Sequence, residues 1–325
     1  MGDTLQCQLK DIAEIQTGPF GSQLHMSDYV KVGTPIITVE HFGENKIIHE
    51  NLPLVNDLDK NRLIKYTLQE GDVVFSRVGS VDRRVYITAQ EDGWMFSGRC
   101  LRFRPIKNKV NGKYLSYYFG QESFKEYIRM VAVGATMPSI NTQILSEAEV
   151  IIHEIPEQES IAEVLSSLDD KIDLLIKNNK TMEQLAETLF RQWFVEEADT
   201  QEKSLGDIAE VTSGKGLNKK EFSSEGIYPV FGSNGIIGKT NKQLYDEHLI
   251  ITGRVGTLGT VRIVSEKCWI SDNVLIVKPK EECYFYPIYF SMKNYDYPSL
   301  NVGSTQPLIT QTEIKTYYEF YKQYH

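Results

Sequence analysis

Two short turns carry the side chains best suited to chemistry on a polyanion. Arg77-Val78-Gly79-Ser80 and Arg254-Val255-Gly256-Thr257 each combine an arginine with a glycine and a small hydroxyl residue. A guanidinium group donates paired hydrogen bonds to phosphates or base edges, and hydroxyls add further donors. The turns therefore suit nucleic-acid recognition. The same spacing also describes a solvated hairpin turn that fixes strand register, and spacing alone leaves both interpretations open.

No other spacing of reactive side chains predicts catalysis. The sequence has no GxxxxGK[ST], HExxH, GxSxG or Asn/Asp-Pro-Pro-Tyr/Phe motif, and its six histidines lack metal-ligand spacing. GRVGTLG, from Gly253, lacks the GxGxxG spacing of a nucleotide-binding loop. Cys7, Cys100, Cys268 and Cys283 form no CxxC pair, so we expect buried free thiols. We therefore expect no catalytic residue, metal or cofactor in this chain.

One acidic cluster imitates a nuclease site. Pro156-Glu157 followed by Asp169-Asp170-Lys171 has the spacing of a carboxylate set that binds a metal ion. The surrounding pattern is helical, whereas such ligands would have to lie on strands. We expect a solvated acidic helix face that can also contact a protein partner.

The net charge of −9 is concentrated in the middle of the chain. Residues 1–155 hold 17 basic and 19 acidic side chains, residues 156–200 hold 4 and 11, and residues 201–325 hold 14 and 14. The flanking blocks are near neutral, so a polyanion partner remains compatible with each. No apolar run is long enough to span a membrane and the first residues do not resemble a signal peptide, so we expect a cytoplasmic protein.

The sequence of the first block recurs in the last block, in the same order. Five collinear matches pair LKDIAEIQTGPFG with LGDIAEVTSGKG, DVVFSRVGSVDRRVYI with HLIITGRVGTLGTVRI, MFSGRCLRFRP with WISDNVLIVKP, YLSYYF with YPIYFS, and VGATMPSI with VGSTQPLI. Such repetition indicates a duplicated domain. In each copy a short β-branched or aromatic run, at Val73–Phe75 and Leu249–Ile251, ends in a turn that contains glycine, which predicts strand, turn, strand.

A long helix is predicted between the copies, from Pro156. Its composition switches to Glu, Lys, Gln, Leu and Ala, and its apolar positions alternate in steps of four and three, as in a coiled-coil seam. About 38 residues at ~1.5 Å per residue would reach roughly 57 Å, more than one small domain needs. We expect the helix to separate two domains and to pair along a seam formed by Ile161, Leu165, Leu168, Ile172, Leu175, Asn179, Met182, Ala186, Leu189 and Trp193.

These features together resemble the specificity (S) subunit family of type I restriction-modification systems. Each copy opens with L-x-D-I-A-E and closes with V-G-[AS]-T-x-P-x-I, and the helix reads IPEQESIAEVLSSLDDKIDLLIKNNKTMEQLAETLFRQWF. The resemblance covers essentially the whole chain. It implies an α+β fold with target-recognition domains at residues 1–155 and 201–325, joined by the helix at residues 156–200.

The resemblance also implies a function and partners. Each domain would read one half of a bipartite site in double-stranded DNA, and the chain itself would not be an enzyme. Methyltransferase (M) subunits would supply the S-adenosylmethionine chemistry on adenine. A restriction (R) subunit would supply ATP-driven translocation and Mg-dependent cleavage.

The end of the sequence departs from the family pattern. Aligning Pro307 with Pro138 places His325 opposite Pro156, where a second helix would begin in the family. The resemblance implies that this second helix packs antiparallel on the first. Here we expect the seam to be covered in trans, by a second copy of the chain in a homodimer or by an M subunit.

The candidate DNA-binding residues are loop positions able to donate to phosphates or base edges. We expect alanine at Arg83 and at Arg254 to weaken binding at different half-sites. In the first domain the candidates are Thr17, Ser22, Arg77, Ser80, Arg83, Arg84, Thr136 and Ser139; in the second they are Lys215, Asn218, Ser233, Asn234, Lys239, Arg254, Thr257, Thr305 and Gln306.

Two other interpretations compete with a working recognition subunit. A truncated, inactive chain kept as a donor of recognition domains is compatible with the abrupt tail KTYYEFYKQYH. A DNA methyltransferase or nuclease with a cryptic site is disfavoured by the missing motifs. The DNA sequence itself cannot be read from these residues, because base choice depends on loop geometry and DNA shape.

Overall fold

A computed structural model describes residues 4–134, 136–196 and 200–322. The contacts divide the chain into two units, Met1–Leu175 and Ile176–His325, and each is described by itself. The alignment of His325 with Pro156 falls outside the described residues.

The described part of the first unit contains ten strands and six α-helices, the last of which is shared with the second unit. The strands are β1 Thr4–Gln8, β2 Ala13–Thr17, β3 Tyr29–Val30, β4 Thr34–Ile37, β5 Leu54–Val55, β6 Val73–Ser76, β7 Arg84–Tyr86, β8 Met95–Phe96, β9 Cys100–Pro105 and β10 Glu149–His153. The helices are α1 Leu9–Ile12, α2 Asp57–Arg62, α3 Gly112–Tyr118, α4 Glu122–Val131, α5 Thr142–Ser146 and α6 Ile155–Phe190.

Two four-stranded sheets enclose two cores in this unit. The strand orders are β2-β9-β6-β7 and β3-β5-β4-β8, and a separate β1-β10 pair joins the two ends of the repeat. Successive side chains of a strand point to opposite faces, and β6 uses both faces. Val73 and Phe75 enter a core with Tyr114 and other residues of the helices, whereas Val74 enters the core of the smaller sheet with Ile36.

The second unit contains nine described strands and three further helices. The strands are β11 Thr200–Ser204, β12 Ala209–Ser213, β13 Tyr228–Gly232, β14 Gly235–Thr240, β15 Leu249–Gly253, β16 Val261–Val264, β17 Trp269–Ile270, β18 Val274–Pro279 and β19 Tyr318–Lys322. The helices are α7 Leu205–Ile208, α8 Phe285–Lys293 and α9 Gln311–Lys315.

The second unit repeats the main sheet of the first. Its order β12-β18-β15-β16 matches β2-β9-β6-β7, and the β11-β19 pair matches β1-β10. Ile250 of β15 enters one core, and its neighbour Ile251 enters another, as the adjacent residues of β6 do. The predicted strand-turn-strand pattern at Val73–Phe75 and Leu249–Ile251 and the mixed α+β fold are confirmed.

Helix α6 begins one residue before the predicted start and is followed by a π-helical turn, Arg191–Glu196. Gln158, near its start, is fully buried; its side chain accepts from the Asn111 amide at 2.8 Å and donates to the His153 carbonyl at 2.8 Å. Near its end, the buried Phe190 ring stacks on Phe290 at 5.8 Å. Both ends of α6 are thus packed on protein.

The middle of α6 is uncovered in the described chain, where every residue from Asp170 to Leu185 is exposed. From the sequence, we predict one separate helical segment over residues 156–200. The contacts divide α6 between the two units after Leu175, and each end of the helix packs on its own repeat.

The cysteines are free, and only two of the four are buried as expected. Cys100 and Cys268 are buried, Cys7 is half-buried and Cys283 is exposed. Burial raises the pKa of the Cys100 thiol to about 12 and that of Cys268 to about 11. The expectation of a buried thiol was wrong for Cys283, which lies in the 3-10 turn Glu282–Tyr284.

Candidate nucleic-acid interface

The Arg77 turn of the first repeat is held by two distant parts of the chain. The Arg77 amide donates to the Arg99 carbonyl at 2.8 Å, and the Arg77 carbonyl accepts from Ile140 at 3.0 Å. The Gly79 amide donates to the Pro138 carbonyl at 2.8 Å. The turn after β6, the segment before β9 and the VGATMPSI loop therefore meet at one place.

The second repeat forms the same three hydrogen bonds. The Arg254 amide donates to Asn273 at 3.0 Å, Ile309 donates to the Arg254 carbonyl at 2.9 Å, and Gly256 donates to Pro307 at 2.9 Å. We name the two sites turn cluster 1 (residues 17–22, 77–80, 97–99, 133–134 and 136–140) and turn cluster 2 (213–218, 254–257, 271–273 and 302–309).

A fourth segment packs into each cluster through a glycine. The amide of Gly18 donates to Cys100 at 3.2 Å, and that of Gly214 donates to Val274 at 3.1 Å. A Cβ atom at Gly18 would lie 2.1 Å from the Ser97 carbonyl oxygen, and one at Gly214 would lie 2.3 Å from that of Ser271. Only glycine allows this close backbone approach.

Six of the eight candidates in the first domain lie in turn cluster 1. Ser22, Ser80 and Thr136 are exposed, while Thr17, Arg77 and Ser139 are half-buried. The Ser139 hydroxyl already donates to the Val133 carbonyl at 3.2 Å, and the Arg77 guanidinium donates to the Gly98 carbonyl at 3.0 Å. The cluster presents hydroxyls and a partly engaged arginine along one edge.

The prediction that Arg84 is a loop residue available to DNA was wrong. Arg84 lies in β7 and is 8% exposed; its guanidinium donates to the Ser116 carbonyl at 3.0 Å and to Glu44 at 3.2 Å. Arg83 is half-buried, and its guanidinium contacts the carbonyls of Val39 and Phe42. Both side chains bind the interior of the domain.

The second domain brings most of its candidates together. Lys215, Thr257, Thr305 and Gln306 are exposed in turn cluster 2, where Arg254 donates to the Ser213 hydroxyl at 2.9 Å. Asn218, also in turn cluster 2, caps the 3-10 turn Lys219–Glu221. Ser233 adjoins the cluster, because its hydroxyl donates to the Asn273 carbonyl at 2.8 Å.

Asn234 and Lys239 lie on the β13-β14 hairpin. Asn234 is exposed in its turn, and its carbonyl accepts from Arg262 at 3.4 Å. Lys239 pairs with Pro229, at the end of the hairpin away from the turn. Asn234 therefore lies beside turn cluster 2, because its neighbour Ser233 donates to Asn273 of that cluster. Lys239 lies apart from the cluster.

The sequence did not select Arg99 and Phe20, which turn cluster 1 also exposes. Arg99 is exposed and its side chain forms no hydrogen bond or ion pair with the described residues. Phe20 is 54% exposed. Both stand inside repeat matches, in MFSGRC and TGPFG, and a comparison of the two copies position by position could have found them.

Two further arginines of the first domain bind acids of the same domain, and one of them is fully buried. Arg102 is 1% exposed and donates to the Thr67 carbonyl at 3.0 Å and to Glu14 at 2.9 Å. Burial lowers the pKa of its guanidinium. Arg104 forms a 2.8 Å ion pair with the buried Asp72. Basic residues that could face a polyanion are therefore fewer than the sequence count suggests.

The predicted seam residues of α6 differ in exposure along the helix. Those near the two ends of α6 pack on the repeats and those in the middle do not; Trp193, which lies in the π-helical turn after α6, is also exposed. Ile161, Leu165, Ala186 and Leu189 are half-buried, while Leu168, Ile172, Leu175, Asn179, Met182 and Trp193 are exposed.

The acids of α6 include several that bind the repeats. Asp169 accepts a hydrogen bond from Tyr117 and Asp173 forms an ion pair with Lys46. Glu183 and Glu187 both form ion pairs with Lys293 of α8. Of the acids for which a solvated face was predicted, Asp170 is exposed, whereas Asp169 is half-buried against Tyr117. Because Asp169–Lys171 lies on a helix, the nuclease-like spacing builds no strand-borne ligand set.

Across the described residues, no group of three or more His, Cys, Asp or Glu side chains could hold a metal ion. Within the same residues, no helix has the length and apolar character needed to cross a membrane.

Comparison with known families decides the identity of this duplicated fold. The family model described as "Type I restriction modification DNA specificity domain" matches residues 3–184 and again residues 197–318. The chain belongs to this family. The two matches to this specificity-subunit family coincide with the two repeats, and the first includes most of α6.

Relatives of this specificity chain support the assignment. It is 27% identical over 316 residues to a putative type I restriction enzyme MjaX specificity subunit of Methanocaldococcus jannaschii, covering 85% of this chain and 72% of the relative. It is 26% identical over 203 residues to the HindI specificity subunit of Haemophilus influenzae, covering 62% of this chain and 41% of that relative. The chain thus spans less than half of the Haemophilus protein.

A solved structure supports the fold. The S subunit of a type I restriction-modification system from M. genitalium superposes with a TM-score of 0.64 at 16% identity, covering 98% of this chain and 85% of that one. The likeness extends across both repeats and α6.

Proposed function

We propose that the chain is the DNA-recognition subunit of a type I restriction-modification complex, with each repeat reading one half of a bipartite site. One observation carries the proposal: the same cluster of four chain segments is built twice, with matching hydrogen bonds at Arg77 and Arg254. The backbone frame is the same in both repeats, whereas some side chains on it differ, such as Arg99 and the equivalent Asn273. A common frame with different side chains suits two different half-sites.

The charge distribution supports contact with DNA at the turn clusters. The acids of α6 that bind Lys46 and Lys293 are engaged within the protein. Arg99 and Lys215, one in each cluster, are exposed. Because phosphate contacts supply most of the affinity for duplex DNA, cations at these two places matter more than the total charge.

A matched pair of variants tests the assignment of half-sites. Short duplexes selected from a random pool by the full chain would define the site, and fluorescence anisotropy would measure affinity. Arg77→Ala should relax selection in one half and Arg254→Ala in the other. Arg83 is the poorer choice, because its guanidinium contacts the carbonyls of Val39 and Phe42. Unchanged selection and affinity in both variants would remove the turn clusters from the interface.

The proposed complex assigns catalysis to other subunits. M subunits would hold S-adenosylmethionine and methylate adenine, and an R subunit would use ATP and Mg in the cytoplasm. Genomic DNA should therefore gain methylation from this chain with an M subunit and none from this chain alone. Methylation by the chain alone would favour a DNA-modifying enzyme, and failure to co-purify with any M subunit would favour an inactive donor chain.

The exposed middle of α6 is proposed to pair with a second copy of this chain. Leu168, Ile172, Leu175 and Met182 continue a heptad seam and are 47–66% exposed, so an unpaired helix leaves this apolar surface in water. Asn179, also exposed, would set the register of the pair. Light scattering should give a dimer of the purified chain. A monodisperse monomer with full helicity would contradict this pairing, and a change on adding an M subunit would assign the seam to that subunit.

A further inference from the structure

Phe20 is a large aromatic side chain that the fold leaves half in solvent. Its ring is 54% exposed. The backbone beside it is fixed, since a Cβ atom at Gly98 would lie 2.2 Å from the Pro19 carbonyl oxygen. The Phe20 carbonyl accepts from Gln23 at 2.8 Å and from Leu24 at 3.3 Å. The ring is therefore presented from a closely packed, hydrogen-bonded loop without being part of a core.

The surroundings of Phe20 are those of a polyanion site. The Arg77 guanidinium carbon lies 5.4 Å from the ring centroid, and the same guanidinium donates to the Gly98 carbonyl at 3.0 Å. Arg99, next in the chain, is exposed. The cation beside the ring favours one orientation of the ring. It also places positive charge where the DNA phosphates would lie if the ring entered between two base pairs.

The second repeat shows that the fold does not require this ring. Gly18 and Gly214 make equivalent hydrogen bonds, so Phe20 aligns with Gly216. Arg254 there donates to the Ser213 hydroxyl, with no aromatic ring at the aligned position. The common frame of the loop thus forms with glycine at this position, and the aromatic ring is a property of the first repeat alone.

We propose that Phe20 is an apolar wedge that enters the base stack at one step of the half-site read by the first repeat. Arg77 and Arg99 contact the flanking phosphates. Phenylalanine is among the side chains that DNA-binding proteins insert between base pairs, where it unstacks and kinks the duplex. Flexible pyrimidine–purine steps unstack most readily, so the first repeat prefers such a step at the wedge. The inference rests on the proposed function, because it needs duplex DNA at turn cluster 1.

The test uses the full chain and short duplexes selected by it from a random pool. Phe20→Ala should lower affinity for these duplexes about tenfold, or ~1.4 kcal/mol, and abolish the preference for a pyrimidine–purine step. Phe20→Leu, which keeps an apolar side chain, should retain part of both. Met26→Ala is the matched control, because Met26 is 85% exposed near the same loop and should leave affinity unchanged.

A spectroscopic arm separates insertion from simple proximity. The native Trp94, Trp193 and Trp269 also emit, so the emission change of the unsubstituted chain is subtracted at each step. The remaining emission of a Phe20→Trp chain should be quenched by the selected duplexes and unchanged by heparin, a polyanion without bases. A Met26→Trp chain treated in the same way should show no such difference. Equal responses of the Phe20→Trp chain to heparin and duplex, with anisotropy confirming that duplex is bound, would overturn the wedge and leave DNA recognition intact. Absence of duplex binding by the unsubstituted chain would overturn the proposed function as well.

Discussion

The Tyr117 hydroxyl donates a hydrogen bond to the Asp169 carboxylate at 2.7 Å and so attaches α3 to the long helix α6. Burial, together with the hydrogen bond and the negative charge of Asp169, raises the pKa of Tyr117, so the hydroxyl remains a donor at neutral pH. Tyr289, the aligned residue of the second repeat, donates to Glu183 at 3.2 Å. Each repeat therefore contacts α6 through the same tyrosine.

Removing the Tyr117 hydroxyl should destabilise the first unit. Tyr117→Phe keeps the ring and loses one hydrogen bond to a carboxylate, which we expect to cost about 1 kcal/mol. The shift of the urea midpoint, followed by circular dichroism, measures it. Tyr127→Phe is the control, because among the described residues the Tyr127 hydroxyl forms no hydrogen bond. Equal effects of the two substitutions would show that the contact with Asp169 adds nothing.

The repeat, the strand pattern and α6 could be predicted from the sequence because they depend on periodicity. Apolar residues recur with the period of a strand or helix, and two collinear copies fix the topology. The uses of individual polar residues could not be predicted. Arg83 and Arg84 are neighbours whose side chains point to different sides. Nothing in the sequence shows that the Arg84 guanidinium donates to the Ser116 carbonyl and to Glu44.

The interior role of Arg84 separates stability from DNA binding. Arg84→Ala leaves the Ser116 carbonyl without its guanidinium donor and opens space in the core, at a cost of about 2–3 kcal/mol. Arg99→Ala removes an exposed cation and should change stability by less than ~0.5 kcal/mol while weakening duplex binding. Thermal unfolding and anisotropy measure the two properties. A stable Arg84→Ala chain with weakened DNA binding would return Arg84 to the interface.

The turn clusters should depend on glycine for backbone reasons. Gly79 has a φ of 82°, and a Cβ atom there would have no atom within 4 Å, so Gly79→Ala costs only the strain of the left-handed conformation. We expect a loss of about 1–2 kcal/mol and a weaker DNA complex, because the Gly79 amide orients the turn on Pro138. Gly21→Ala has equal space without the positive φ and should be neutral in thermal unfolding. Equal stability of the two variants would refute the strain.

Acid should loosen the second repeat from α6. The hydrogen bond from Lys293 lowers the pKa of Glu183 below its ordinary value near 4.5. A carboxylate with a depressed pKa in the folded state stabilises the protein above its unfolded pKa, and this contribution is lost as pH falls through the folded value. Glu183→Gln should therefore reduce the loss of stability below pH ~4.5, measured by urea unfolding across acidic pH. An unchanged pH profile would exclude this ion pair as the source. Exposed Glu159→Gln is the control.

Cys283 should report what covers the end of the seam. Its exposed thiol lines an apolar groove of about 490 Å³ with Ala186, Leu189, Trp193 and Tyr286. Thiol reagents at pH 8 should modify Cys283 first, whereas Cys100 and Cys268 should react only on unfolding, since burial raises their pKa to about 12 and about 11. A maleimide labelling series across dilution should show Cys283 protected at concentrations where the chain dimerises and reactive where it is monomeric. Protection of Cys283 that appears only after an M subunit is added would show that this subunit covers the groove. Labelling of Cys283 at the same rate in every assembly would contradict all of the contacts proposed for this end of α6.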